Sequence, residues 1–131
     1  GARQRAAALS IATITSIDAL EQELRDSTRL LIMFFSPLCG HCVEFEPKFN
    51  AMISLLHADM LLQGFRVLRV DVTDLDVTAL PAPFEVSATP TLYITDTMQR
   101  VLGTNGVGDG SHAYSWVLEK LHELGMQSAQ D

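Results

Sequence analysis

Cysteine is scarce in this chain, with two among 131 residues. Two thiols cannot build the disulfide scaffold of a small secreted domain, and they are half of what a four-thiolate zinc site needs. Basic residues are also few, nine Lys and Arg against sixteen Asp and Glu, for a net charge of −7. That deficit disfavours nucleic acid as a partner, since phosphate binding needs clustered cations. The longest apolar run, residues 30–35, falls far short of the roughly 20 residues a bilayer span requires. No internal repeat, low-complexity tract or Pro/Gly/Ser-rich linker divides the sequence. What remains is 47% hydrophobic and 19% charged, a composition suited to one globular domain with its own core.

Periodicity supplies a sequence of elements. Residues 9–14 read as a short strand, and Ser16 or Thr15 can cap a helix carrying Ile17, Leu20 and Leu24 on one face. Residues 30–35 form a continuous apolar run of strand length, which suits a strand buried on both faces. From Cys42 to about residue 62 the pattern is helical, with Cys42, Phe45, Phe49, Met52 and Leu56 as its apolar stripe and Pro47 as an expected kink. Gly64 fits the chain reversal that follows. Residues 66–72 read as a strand, and residues 73–86 as helical in part, limited by Pro81 and Pro83. A hairpin is expected over residues 91–102, a loop over the glycine-rich residues 103–110, and a last helix capped by Ser111 with Val117, Leu118, Leu121 and Leu124 facing inward. Residues 1–8 have too short an apolar part for a signal sequence and are expected to be a solvated arm. The domain then covers residues 9–124, and 125–131 form a frayed tail. Early strand–helix alternation argues for parallel strands and the late hairpin for antiparallel ones, giving a mixed α/β sandwich.

The two cysteines sit together as Cys39-Gly40-His41-Cys42, where the apolar run gives way to the helix. At that spacing the thiols can close into a disulfide and reopen. Cys39 falls at a helix N-terminus, where unpaired N–H groups and the macrodipole favour a thiolate able to attack a disulfide. Cys42 heads the apolar stripe, is expected to be buried, and suits the resolving role. His41, when protonated, favours the Cys39 thiolate over the disulfide and so raises the reduction potential. Gly40 permits a tight helix start. A metal site on Cys39, His41 and Cys42 lacks a fourth ligand at usual spacing, and no metal is expected. No dissociable cofactor is needed either, because the cysteine pair itself carries the electrons.

The residues from Phe34 through Pro37 and Leu38 to Cys42, with Pro47 and the later Ala88-Thr89-Pro90-Thr91, resemble the thioredoxin superfamily, and within it a catalytic domain of the protein disulfide isomerases. The resemblance implies a three-layer α/β/α sandwich with a mixed central sheet. It implies that Pro90 follows a cis peptide bond and that Leu38, Thr89 and Pro90 line a substrate groove. It implies thiol–disulfide exchange on cysteine-containing protein substrates, a recycling redox partner (an oxidase, glutathione or a reductase), no nucleic acid or membrane partner, and residence in the endoplasmic reticulum lumen. A thioredoxin-like cytoplasmic reductase and a peptide-binding chaperone module with weak redox activity are the alternatives.

Four positions depart from the family pattern. Leu38 replaces the usual Trp before the first cysteine, and Val43 the lysine that often follows the second. No arginine stands in residues 103–110, where isomerase domains carry one. Met33 replaces the buried acid that shuttles the proton of the second cysteine. Arg69 matches a basic position facing that acid and is expected to lose its partner, with Asp71 pointing elsewhere. Cys39 is therefore expected to be reactive and Cys42 slow to deprotonate.

Overall fold

The computed structural model describes residues 9–96, 101–104, 107 and 110–128; the N-terminal arm, the hairpin tip, parts of the glycine-rich loop and the end of the tail lie outside them. Along the chain run β1 (Ile11–Ile14), α1 (Ile17–Asp26), β2 (Arg29–Phe35), α2 (Gly40–Ala58), β3 (Phe65–Asp71), a 3-10 turn (Val77–Ala79), β4 (Thr91–Thr95), β5 (Val101–Thr104) and α3 (Ala113–Glu123). The strands form one mixed sheet in the order β1-β3-β2-β4-β5. β1 and β2 lie parallel to β3, β4 runs antiparallel to β2, and β5 antiparallel to β4.

β2 is the hub, and its side chains from Leu30 to Phe34 are all buried. Because strand side chains alternate between faces, Leu31 and Met33 join Phe45, Phe49, Met52 and Leu56 of α2 and Val117 and Leu121 of α3. Leu30, Ile32 and Phe34 join Leu20 of α1 with Leu80, Phe84 and Tyr93 on the other face. Helices thus cover both sides of the sheet, the expected three-layer sandwich.

Local chemistry sets where the helices start and stop. The Ser16 hydroxyl accepts from the Ala19 N–H at 3.1 Å and caps α1. α2 continues through Pro47 but ends at Ala58, short of the expected residue 62. Met60 there takes a left-handed φ of 63°, and the N–H groups of Met60 and Leu61 return to the His57 and Leu56 carbonyls at 3.0 and 2.9 Å. That is a Schellman closure made without glycine, and it turns Leu61 and Leu62 into the core. α3 closes in the same way at Gly125, φ 85°, with Met126 bonded back to Leu121. The Met126 sulfur then accepts from Arg29 at 3.0 Å, while the Arg29 guanidinium lies 5.6 Å from the Phe65 ring centroid.

Three sequence expectations are corrected. Residues 73–86 hold only the 3-10 turn: Asp76 accepts from the Thr78 N–H at 3.0 Å and the Thr78 hydroxyl at 2.5 Å, and a cis Ala82–Pro83 bond follows. Asp and Thr side chains that bond the local backbone compete with a helix in this way. The last helix is capped by His112 with no side-chain bond, since Gly110, at φ 83°, accepts from the Ala113 N–H at 3.2 Å in a turn that places Ser111 outside the helix. Gly103 belongs to β5, opposite Tyr93.

A Cβ at Gly103 would stand 2.3 Å from the Tyr93 ring. That ring is held in place: its hydroxyl donates to the Glu85 carbonyl at 2.8 Å and accepts from the Glu85 N–H at 3.1 Å, and it packs T-shaped with Phe34 and Phe84, centroids 5.7 and 5.0 Å away. Gly103→Ala is expected to destabilise the fold by about 1–3 kcal/mol, the usual cost of overpacking. A shift of the urea midpoint reads it, and a midpoint equal to wild type would show that the ring gives way.

Candidate functional site

β2 delivers the chain to the C-terminal end of the sheet, where Ser36 breaks the strand and builds a turn. The Leu38 N–H donates to the Ser36 hydroxyl at 3.2 Å and the Cys39 N–H to the Ser36 carbonyl at 3.1 Å. The Ser36 hydroxyl is in turn paired with that of Thr73 at 2.8 Å, which holds the loop after β3 beside the turn. Cys39 is the N-cap of α2, and its Sγ accepts from the Cys42 N–H at 3.3 Å. It therefore takes the place a capping oxygen would fill, at the electropositive end of the helix. Cys39 is partly exposed, Cys42 is buried, and both are free thiols here.

Thr89 and Pro90 close the site from fifty residues away. The Thr89 carbonyl accepts from the Cys39 thiol at 3.5 Å, the Thr89–Pro90 bond is cis, and Pro90 is buried. The Thr91 hydroxyl donates to the Ala88 carbonyl at 2.5 Å, and the Val107 N–H to the Pro90 carbonyl at 3.2 Å, so this wall is braced on both sides. Of the residues singled out by sequence, Cys39, Cys42, Thr89 and Pro90 meet here. Leu38 and His41 stand exposed at the rim. Gly40 is exposed too, and a Cβ there would meet no atom within 4 Å, so space alone does not require glycine.

The two thiols sit in opposite environments. Partial burial pushes the Cys39 thiol up, but hydrogen bonds from the Cys42 and Thr89 side chains and from the Cys42 and His41 N–H groups outweigh it and hold Cys39 below its ordinary value. Burial pushes the Cys42 thiol up, and its hydrogen bond with Cys39 pushes the same way. Cys39 is the anion-prone member of the pair and Cys42 the protonated one.

Beneath them Met33 is buried and lies in register with Arg69 of β3. The expectation that Arg69 has no partner is corrected. Its Nη1 is paired with the Glu46 carboxylate of α2, its Nη2 donates to the Thr13 hydroxyl at 3.1 Å, and its guanidinium lies 5.6 Å from the Phe35 ring centroid. Asp71 does turn elsewhere, accepting from the Thr73 N–H at 2.9 Å. Glu46 stands one turn below Cys42, yet its side chain is 47% exposed, so it does not reproduce a buried acid. The Arg69 Nε remains buried with no partner among the described residues. Nothing in the local sequence marks Glu46, rather than Glu44, as the partner of Arg69. No three His, Cys, Asp or Glu side chains gather as a metal-binding group among the described residues.

A family model, Thioredoxin, matches residues 11–118. The chain is 36% identical to mouse protein disulfide-isomerase A5 over 72 residues, 55% of this chain and 13% of that protein. It is 38% identical to chicken protein disulfide-isomerase A3 over 64 residues, 49% of this chain and 12% of that protein. The chain thus spans about an eighth of the length of these curated relatives. Among solved structures, the first thioredoxin domain of mouse protein disulfide-isomerase A4 superposes with a TM-score of 0.61 at 22% identity, covering 87% of this chain and 74% of that one. Mitochondrial thioredoxin 3 of Saccharomyces cerevisiae gives 0.62 at 18% identity, covering 86% and 94%.

Two measurements test the electrostatics. The thiolate alkylates and the thiol does not, so a depressed Cys39 reacts with iodoacetamide in a transition below the pH of an ordinary thiol, and Cys42 in one above it. Peptide mapping across pH should resolve two transitions in that order; coincident transitions would refute it. Met33→Glu sets a carboxylate in register with Arg69 and should speed the resolution of a mixed disulfide at Cys39 by about a hundredfold, the lower end of the usual worth of a positioned base. An unchanged resolution rate would mean that Cys42 does not need a buried acid.

Proposed function

This chain belongs to the thioredoxin family of thiol–disulfide oxidoreductases, and we propose that within it the domain acts as a protein disulfide isomerase-like enzyme. The observation that carries the reading is the Cys39 sulfur itself, which caps α2 through the Cys42 N–H and faces the carbonyl of Thr89. In the reducing direction the Cys39 thiolate attacks one sulfur of a protein disulfide, forming a mixed disulfide and releasing the other sulfur as a thiolate. Cys42 then loses its proton, attacks the Cys39 sulfur and expels the second substrate thiolate. The pair ends as a disulfide and the substrate has gained both electrons. Run backwards, the same steps oxidise a substrate dithiol. Escape of the mixed disulfide to a different substrate thiol shuffles disulfides without net electron flow.

Each side chain of the site has a place in this cycle. Exposed His41, when protonated, favours the thiolate of the reduced pair and so makes the disulfide more oxidising. Thr89 and Pro90 hold the substrate backbone beside Cys39, with Leu38 as the outer lip. An oxidase, glutathione or a reductase would recycle the pair. The kinship with protein disulfide-isomerases supports an endoplasmic reticulum setting. Among the described residues no helix is long and apolar enough to cross a membrane. Buried Met33 favours a second reading, a peptide-binding module with slow redox chemistry.

The test is the reduction potential of the Cys39–Cys42 pair, from thiol counts after equilibration in graded glutathione buffers. An isomerase-like site should give about −180 mV, and His41→Pro should move it toward the thioredoxin value of about −270 mV. A wild-type potential near about −270 mV would make the domain a reductase instead. Cys42→Ser should accumulate mixed disulfides with protein substrates, and Cys39→Ser should form none.

A further inference from the structure

Large apolar side chains exposed among the described residues are Leu38, Val43, Leu55 and Met60. Two of these four flank the reactive sulfur. Leu38, 82% exposed, immediately precedes Cys39. Val43, 59% exposed, donates its N–H to the Cys39 carbonyl at 3.1 Å and so stands one helical turn along. The segments that build this mouth are acidic, with Lys48 the first cation after the motif. Residues 30–47 and 70–99 contain no Lys or Arg. Glu44 and Asp74 are exposed, the latter next to Thr73, whose hydroxyl binds Ser36 at 2.8 Å. Arg69 is already engaged by Glu46 and Thr13. His41 is the one basic side chain within the motif.

We propose that Leu38 and Val43 form an apolar clamp that selects polypeptide disulfides whose cysteines are flanked by apolar residues, and that the acidic mouth disfavours anionic small disulfides such as glutathione disulfide. The inference rests on the oxidoreductase reading above and names the substrate class of that same site. Leu38 precedes Cys39 and Val43 follows it by one helical turn, so a polypeptide laid across the sulfur would lie over both side chains. An apolar residue beside its cysteine gains from that burial, whereas an acidic one loses water and meets Glu44 and Asp74 in place of a counter-ion. Glutathione disulfide brings carboxylates toward Glu44 and Asp74, a repulsion that salt weakens. The chemical step is the exchange already described. Cys39 displaces one substrate sulfur, Cys42 displaces the second, and two electrons pass from the pair to the partner.

The experiment is single-turnover oxidation of the reduced domain by three disulfides: a peptide dimer with Leu and Phe beside the cysteine, the same dimer with Asp and Glu there, and glutathione disulfide. The readout is the ratio of rate constants, because a change in Cys39 thiolate content scales all three rates and cancels. The wild-type domain should favour the apolar over the acidic peptide by about tenfold. Val43→Lys should cross the pattern, slowing the apolar peptide and speeding glutathione disulfide, for a drop in their ratio of about tenfold. Val43→Ser, which adds no charge, should lower the apolar-to-acidic ratio by about threefold. Equal wild-type rates for the two peptides, or a ratio unmoved by Val43→Lys, would overturn the clamp while leaving the oxidoreductase reading intact. Failure of the wild type to react with any of the three would overturn both.

Discussion

β2 has β3 on one side, β4 on the other and a helix layer against each face, so it meets water only at its ends. Leu30 through Phe34 must all be apolar to sit there, and that run fixes the register of the neighbouring strands. The reactive sulfur depends on this burial. Ser36 is the first residue past the dry zone, its hydroxyl and carbonyl build the turn, and Cys39 arrives at the mouth of α2 already in capping position. Cys42 is buried at the head of α2, whose Phe45, Phe49, Met52 and Leu56 pack with Leu31 and Met33 of β2. The asymmetry between the thiols comes from burial at Cys42 and from the hydrogen bonds gathered on Cys39 at the helix mouth.

Beneath the thiols the arrangement departs from what the family pattern implies. Met33 fills an acid's place with an apolar side chain, and the cation opposite reaches across to α2 for its carboxylate. The Arg69 guanidinium then joins β1, β3 and α2 through Thr13 and Glu46. A pair this exposed adds little stability by itself. Its clearer effect is to turn Nη1 and Nη2 of Arg69 to Glu46 and Thr13, with only the Nε left buried and unpaired among the described residues.

Continuous burial and the cap of the first helix were legible in the sequence. β2 reads as a two-sided buried run, Ser16 as a cap, residues 42–56 as a buried stripe, and the cysteine pair as a helix start, because each depends on residues close together in the chain. Features set by distant contacts were not. Gly103 reads as loop until Tyr93, pinned to Glu85, is seen to need the space its side chain would fill. The closure of α2 through Met60, past its end at Ala58, carries no glycine to announce it. Asp76 and Thr78 bond to each other where a helix was expected. The Glu46–Arg69 pair spans 23 residues, and nothing local distinguishes Glu46 from Glu44. The cis Thr89–Pro90 bond was legible only through family resemblance, and the cis Ala82–Pro83 bond was not signalled at all.

The clasp of Arg29 on Met126 bears on how the domain could be handled. Arg29 opens β2 and the thiols lie beyond its far end, so the strand separates them by about 20 Å at the usual rise per residue. A surface linker or fluorophore joined just past Met126 would hold the protein by its base, with the redox mouth facing away from the support. Immobilised in that orientation, the domain would present every copy of Cys39 to the solution in the same attitude, a geometry suited to an electrode or a sensor film.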